Sequence, residues 1–346
     1  MSNSALFNRR SFLGFTAAVS ALALAGCTGE NAATDAAGKV GGSDTLNIDF
    51  ATYNPLSLII KEKGWLEATL AEKNVTVKWL QSAGSNKANE ALRAGAIDVG
   101  STAGSAALLA RANRSPIKTI SLYSQPEWAA LVTNKDSGIT KVADLKGKSV
   151  AATKGTDPYF FLVQALEEAG LSTKDVTVEN LQHADGRAAL ANGSVDAWSG
   201  LDPIMATAEQ EGATLFYRNL DFNTYGFLNA TESFLKDKPE LAQTVVDAYE
   251  KARIWAAANP EETAQILADA AGLKPAVATT VILERSNLDV SGVPGEKQRA
   301  VLAKIGPTFV ELGDVKTQAE VDTALETLLD DSFALKANPD SIKESA

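Results

Sequence analysis

The chain has 346 residues, with 43 acidic against 32 basic side chains, a net charge of −11, one cysteine and one histidine. That balance leaves no basic footprint for nucleic acid, and 45% hydrophobic with 22% charged residues is the composition of a soluble globular protein of two domains or lobes. A lone cysteine excludes an intrachain disulfide, and a lone histidine, His183, excludes zinc sites that need two or three imidazoles.

The first 26 residues hold Arg9 and Arg10, no acid, and a small, apolar run from Phe12 to Ala25. The run is too short to span a bilayer and suits the hydrophobic region of a signal peptide. Asn8-Arg9-Arg10-Ser11-Phe12-Leu13 resembles the twin-arginine export signal, and Leu24-Ala25-Gly26-Cys27 resembles the bacterial lipobox, whose cysteine is acylated. Residues 1–26 are therefore read as a twin-arginine lipoprotein signal and Cys27 as the lipid attachment. This reading places the protein outside the cytoplasm, anchored to the cell membrane in a periplasm or at a cell surface. Beyond the signal the chain carries 30 basic and 43 acidic side chains, a net −13. Residues 27–44 are small, polar and Gly/Ala-rich, a flexible tether, and the folded body is expected from Thr45.

Leu46 to Ala51 reads as a strand, Thr52-Tyr53-Asn54-Pro55 as a turn and Leu56 to Ala71 as an amphipathic helix. Then comes a repeat. Val75-Thr76-Val77-Lys78-Trp79-Leu80-Gln81 and Val176-Thr177-Val178-Glu179-Asn180-Leu181-Gln182 match at five of seven positions, 101 residues apart. Each is followed by a helical stretch and a second matching phrase, Gly95-Ala96-Ile97-Asp98-Val99-Gly100-Ser101 and Gly193-Ser194-Val195-Asp196-Ala197-Trp198-Ser199. The second copy also has the upstream unit: strand Ser149 to Ala152, turn Thr153 to Pro158, helix Tyr159 to Ala169. Each copy reads strand, turn, helix, strand, helix, strand, an α/β unit with a largely parallel sheet, and two copies make two similar lobes.

In such sheets ligands bind beyond the carboxyl ends of the strands, where helix N-termini offer free N–H groups. The turns there are rich in hydroxyls and glycines and poor in acid–base pairs. They include Thr52-Tyr53-Asn54, Ser82 to Ser85, Ser101 to Ser105, Lys154-Gly155-Thr156-Asp157, His183 to Gly186 and Trp198 to Asp202. They can hold a small oxyanion through neutral donors. Asn54-Pro55, Asp157-Pro158 and Asp202-Pro203 equally suit an N-cap followed by Pro at the first helical position.

The phrases Glu90-Ala91-Leu92-Arg93-Ala94-Gly95-Ala96-Ile97-Asp98-Val99-Gly100-Ser101-Thr102, Val142-Ala143-Asp144-Leu145-Lys146-Gly147-Lys148, Lys154-Gly155-Thr156, Gly193 to Trp198 and Asp202-Pro203 occur in an order that resembles the solute-binding proteins of the aliphatic sulfonate, taurine and nitrate ABC importers. The likeness covers the body from Leu46 onward. It implies an α/β, two-lobed periplasmic-binding-protein fold of type II, with a solute in the cleft, no cofactor or metal, a monomeric state, and an ABC permease with its ATPase as partners. It implies lobe one from 45–132 plus 230–346 and lobe two from 133–229, with crossings near Leu131 to Lys135 and Gly226 to Ala230. Carried over to the cleft are Ser101, Thr102, Gly155, Thr156, Trp198 and Asp202; Thr52, Tyr53 and Asn54 supply the first turn, and Gly84, Asp157 and Tyr225 join the candidate ligand-binding set. Trp128 is either a cleft wall or core, and His183 a loop residue at the cleft rim.

Two departures from the sulfonate pattern bear on the solute. Asp157 stands where a run of serines is common, and Leu201 where Trp is common. The solute expected is an aliphatic sulfonate or similar organic acid, the alternatives being nitrate, taurine, an aromatic carboxylate or a thiamine-precursor pyrimidine. Gly147-Lys148-Ser149 lacks the first glycine of a phosphate-binding loop and precedes its strand, and no Gly-x-Ser-x-Gly elbow occurs. An enzyme on the same fold is the remaining class, and one His with an acylated Cys equips it poorly.

Overall fold

The computed structural model describes residues 44–345; the signal, Cys27 and nearly all of the tether lie outside the described residues. The first copy of the repeat runs β1 (Asp44–Phe50), α1 (Pro55–Glu62), α2 (Trp65–Leu70), β2 (Val75–Gln81), α3 (Ser85–Arg93), β3 (Val99–Ala103) and α4 (Gly104–Ala112). After β4 (Ile117–Ser124) and β5 (Ala129–Thr133), the second copy runs β6 (Ser149–Ala151), α5 (Asp157–Glu168), β7 (Thr177–Glu179), α6 (His183–Ala191), β8 (Ala197–Leu201) and α7 (Ile204–Gln210). Strands β9 (Thr214–Tyr217) and β10 (Gly226–Thr231) follow.

The strands form two five-stranded sheets, in the orders β2-β1-β3-β10-β4 and β7-β6-β8-β5-β9. In each, the three repeat strands are parallel and the fourth is antiparallel to both neighbours. The two copies thus build the same half-sheet, and each sheet is completed by a strand adjoining a crossing.

The crossings differ in place from the sequence expectation. Sheet one ends at Ser124 and sheet two resumes at Ala129, so the chain first crosses at 125–128 rather than at Leu131 to Lys135. The return lies at 218–225, and Gly226 to Ala230 form β10 of sheet one. The run Ala129 to Val132 is buried throughout; a fully buried strand carries no alternation that would say which sheet it joins.

The repeated phrases have a common physical content. Gly95 and Gly193 sit just past the ends of α3 and α6 with φ of 66° and 75°, the left-handed conformation that stops a helix and that glycine adopts without cost. Ile97 and Val195 are buried next to them. Asp98 Oδ2 then accepts hydrogen bonds from Asn47 N at 2.8 Å and Asn47 Nδ2 at 3.1 Å, and Asp196 Oδ2 accepts from Ser149 N and Ser149 Oγ, both at 2.8 Å. Each aspartate ties the entry of its third strand to the first strand of its copy.

Beyond β10 the chain is helical, through α8 (Glu232–Asp237), α9 (Pro239–Ala258), α10 (Pro260–Ala271), α11 (Pro275–Thr279), α12 (Glu296–Glu311) and α13 (Gln318–Thr327), and returns to lobe one. Helix α9 packs on α1 and β4, while α12 and α13 pack on α4. One apolar cluster spans both sheets, from Leu46 and Ile48 through Trp128 to Phe160 and Leu162, and Phe160 of α5 meets Phe309 of α12 with ring centroids 4.8 Å apart. The lobes are closed on one another.

Asp98→Ala and Asp196→Ala should each lower stability by about 1–2 kcal/mol, the cost of leaving a backbone N–H without its acceptor. Urea unfolding checks this, and the two losses should be similar because the two bonds are equivalent.

Candidate functional site

Between the sheets lies a narrow cavity of about 10 Å3 lined by Thr52, Tyr53, Pro55, Ser124, Pro126, Trp128, Asp202, Val281, Arg285 and Ser286. That space is near the least that holds one water, so nothing larger fits while the lobes are closed. The turn β1–α1 places Thr52 and Tyr53 on one side. Asn54 behind them caps α1, its Oδ1 accepting from Ser57 N at 3.3 Å, while its Nδ2 donates to Tyr249 Oη at 3.0 Å. Tyr53 donates to Ser101 O at 2.9 Å and meets Trp128 edge to face, with centroids 6.2 Å apart. Trp128, on the first crossing, is both a cavity wall and part of the core.

The cationic group of the cavity is Arg285, at the end of a π-helical turn, Thr280–Arg285, that belongs to the C-terminal third. It is 5% exposed. Its Nη1 lies 3.4 Å from Asp202 Oδ2, and its Nη2 donates to Glu209 Oε2 at 2.5 Å, so one guanidinium from lobe one grips two carboxylates of lobe two. Burial raises the Asp202 pKa to about 6 in spite of Arg285; the long contact to Nη1 is too weak to offset the lost hydration. Asp202 Oδ1 also accepts from Ala206 N at 2.9 Å, which satisfies the first turn of α7 as an N-cap would. Two buried donors lining the cavity have no partner among the described residues: Arg285 Nε and Ser124 Oγ.

Asp157 neither caps its own helix nor lines the cavity. It is the first residue of α5, after Thr156 at the N-cap, and its carboxylate is 1% exposed. It accepts from Ser105 Oγ of α4 in lobe one, from Thr224 N and Thr224 Oγ1 of the return crossing, both at 2.7 Å, and from Trp128 Nε1 at 2.9 Å. Burial pushes its pKa up, against the pull of Ser105, Thr224 and Trp128. The residue that departs from the sulfonate pattern is an interlobe bridge that also holds the Trp128 ring.

The other candidates disperse. Ser101 donates through N and Oγ to the buried Asp49, at 2.9 and 3.1 Å, and burial raises the Asp49 pKa to about 7. Thr102 Oγ1 accepts from Asn229 Nδ2 at 2.8 Å, Thr156 Oγ1 donates to Thr153 O at 2.6 Å, and Gly155 takes a φ of 76° in the turn before α5. Trp198 is fully buried in lobe two among Leu190, Val195 and Met205, away from the cavity: on β8 its side chain points into the lobe's own core. Tyr225 lines a separate hollow with Gln125, Asn223 and Lys304. Gly84 is the N-cap of α3, and His183 is not in a loop but opens α6. Among the described residues no group of His, Cys, Asp and Glu could hold a metal ion. Sequence reasoning missed Arg285 and Ser124, which stand outside every repeated phrase and turn.

Asp157→Ala should cost about 3 kcal/mol of stability, because Trp128 Nε1, Thr224 N and the two hydroxyls lose a charged acceptor together. Denaturant unfolding measures the loss, and Trp128 fluorescence should change with it.

The NMT1/THI5 like family profile matches residues 57–263. A Bacillus subtilis protein named as an aliphatic sulfonates-binding protein is 31% identical over 67% of this chain and 70% of its own, and an Escherichia coli protein of the same name is 28% identical over 80% and 86%. Among solved structures, the alkanesulfonate-binding protein SsuA of Xanthomonas axonopodis pv. citri, bound to MOPS, superposes with a TM-score of 0.73 at 25% identity, covering 82% of this chain and 99% of that one. The two-sheet α/β architecture is that of periplasmic binding proteins. By this match, which runs from within α1 through both crossings and past the end of α9, the chain belongs to the NMT1/THI5-like family.

Proposed function

We propose that the protein is the extracytoplasmic solute-binding component of an ABC importer, capturing an aliphatic sulfonate or a similar small organic acid between its lobes and delivering it to a membrane permease driven by an ATPase. The single observation that carries this reading is the interlobe cavity, whose lining joins two buried donors without a partner among the described residues, Arg285 Nε and Ser124 Oγ, to the Tyr53 and Trp128 rings. A sulfonate oxygen accepts readily from such donors, and a charged N–H gives the stronger bond. The names of the relatives support the same class of solute. Thr52, Tyr53, Trp128, Asp202 and Ser286 complete the wall. Because Arg285 also holds Asp202 and Glu209, the residue that meets the solute is one that draws the lobes together. The cavity offers hydrogen bonds and aromatic surface but no nucleophile framed by a base, which supports capture over turnover.

The reading includes export by the twin-arginine route and an anchor through Cys27, residues outside the described part of the chain. Among the described residues no helix is long and apolar enough to cross a membrane.

Isothermal titration with ethanesulfonate, methanesulfonate, taurine and matched carboxylates tests the solute class. A sulfonate should bind, Ser124→Ala should weaken it about 10-fold and Arg285→Lys, which keeps the charge but loses the Nε donor, about 10- to 100-fold. Binding unchanged in both variants would overturn the site. In cells, Cys27→Ser should move the protein from the membrane to the soluble fraction, and fractionation of the two forms side by side reads this out.

A further inference from the structure

The one histidine of the chain lies outside the cavity, yet its surroundings are specific. His183 is 1% exposed. Thr153 Oγ1 donates its single proton to Leu181 O at 2.6 Å, so toward His183 Nδ1, 3.2 Å away, it can only accept. The ring proton is therefore on Nδ1, and Nε2 is a bare lone pair. That Nε2 is buried without a partner among the described residues, and so is Asn86 Oδ1 of lobe one. Both close on one face of Gly84: a methyl group placed there would stand 3.0 Å from His183 Nε2 and 2.9 Å from Asn86 Oδ1. The two ends of the Asn86 amide are isosteric, and turning it presents an N–H to the lone pair.

We propose that His183 is a positioning residue for closure, its bare Nε2 accepting a hydrogen bond from the Asn86 amide across the cleft, so that the closed, solute-holding form requires a neutral imidazole. The proposal rests on the reading of the cleft as a solute site. Gly84 is the residue that admits the contact; its extended φ of 167° suits any side chain, so what demands glycine there is the space.

Burial alone pushes the His183 pKa from 6.5 down to about 4. The charged residues of the surrounding elements are Asp185 and Arg187 on α6, Lys154 and Glu179 beside β6 and β7, and Lys87, Glu90 and Arg93 on the facing α3; none is among the causes of the shift. When the lobes part, the ring meets water and regains its ordinary value near 6.5. Closure then expels a proton at acid pH: the His183 contribution is fully present above 6.5 and is lost as the pH falls through 6.5 toward 4. Between pH 7 and pH 5 this amounts to about 20-fold in affinity. Asp202, raised to about 6, acts with the opposite sign, so the comparison must be made between variants that share it.

The test uses the full chain in detergent, with ethanesulfonate as probe, titrated at pH 7 and pH 5. The ratio of wild-type to His183→Gln affinity should fall about 20-fold over that interval, since glutamine accepts without titrating. Gly84→Ala, whose methyl separates the pair, should weaken binding while leaving unfolding stability near wild type. Equal pH profiles for wild type and His183→Gln would overturn the proposal, and so would an unaltered affinity of Gly84→Ala. Should ethanesulfonate not bind at pH 7, the solute class fails and the seam is read directly: the single imidazole gives one pair of nitrogen signals by 15N NMR. An Nδ1–H tautomer with a depressed midpoint supports the contact, and an Nε2–H tautomer titrating near 6.5 overturns it.

Discussion

Charged groups removed from water between the two lobes constrain everything else in this molecule. A carboxylate or guanidinium loses several kcal/mol of hydration on burial unless hydrogen bonds replace it, and at this interface the replacements come from the opposite lobe and from the crossings. Asp157 of lobe two is satisfied by Ser105, Thr224 and Trp128, and Arg285 of lobe one by Asp202 and Glu209. Neither set can be completed within one lobe. When the lobes part, water must take over the bonds that run from lobe to lobe, so the closed form is held by specific partners as well as by apolar contact such as Phe160 on Phe309. The hinge serves the same network, since Trp128 and Thr224 lie on the two crossings.

The same constraint bears on how an acidic protein would hold an acid, as the proposed function requires. Of the five donors of Arg285, those on Nη1 and Nη2 are directed to carboxylates, and the cluster carries no excess positive charge. What is left for a solute is the Nε–H and the Ser124 hydroxyl, directional donors in a site that closure dries. Hydrogen bonds there are stronger than in water because the local dielectric is low. On the proposed function a monoanion would be recognised by placement of donors instead of by a positive field, and the Tyr53 and Trp128 rings would meet the apolar part of a small organic acid.

Much of the fold was legible because it is written twice. The glycine that ends a helix, the buried Ile97 or Val195 and the aspartate that ties two strands recur at matching places, and each is a local requirement of backbone conformation or hydrogen bonding that a sequence displays directly. Asn54 was legible for the same reason: its cap is satisfied three residues away. Asp157 sits in a sequence that also suits a cap, but its carboxylate turns to three partners that are 29 to 67 residues distant, and nothing local could announce them. Trp198 illustrates the converse. Its neighbours in the chain matched a cleft-lining phrase, whereas alternation along β8 sends its ring into the lobe. Arg285 had no signal at all, being one basic residue in a helical third where charge is ordinary; its importance comes from a π turn and a crossing brought together by the fold.

The two lone residues of the composition end with different physical meanings. Cys27 is read as an anchor, which as proposed would say where the molecule works. His183 has no second imidazole for a metal and no nucleophile to activate, yet its position is as determined as that of the bridges, because Thr153 fixes its tautomer and Gly84 leaves room for its lone pair. Protons act on the interface in opposite senses: a buried neutral imidazole makes closure easier as the pH rises, while Asp202, held up to about 6 by burial, makes it easier as the pH falls. A cleft that titrates in both directions over the same interval can keep its affinity nearly level in a compartment whose pH the cell does not control. Removing either group should expose the slope of the other.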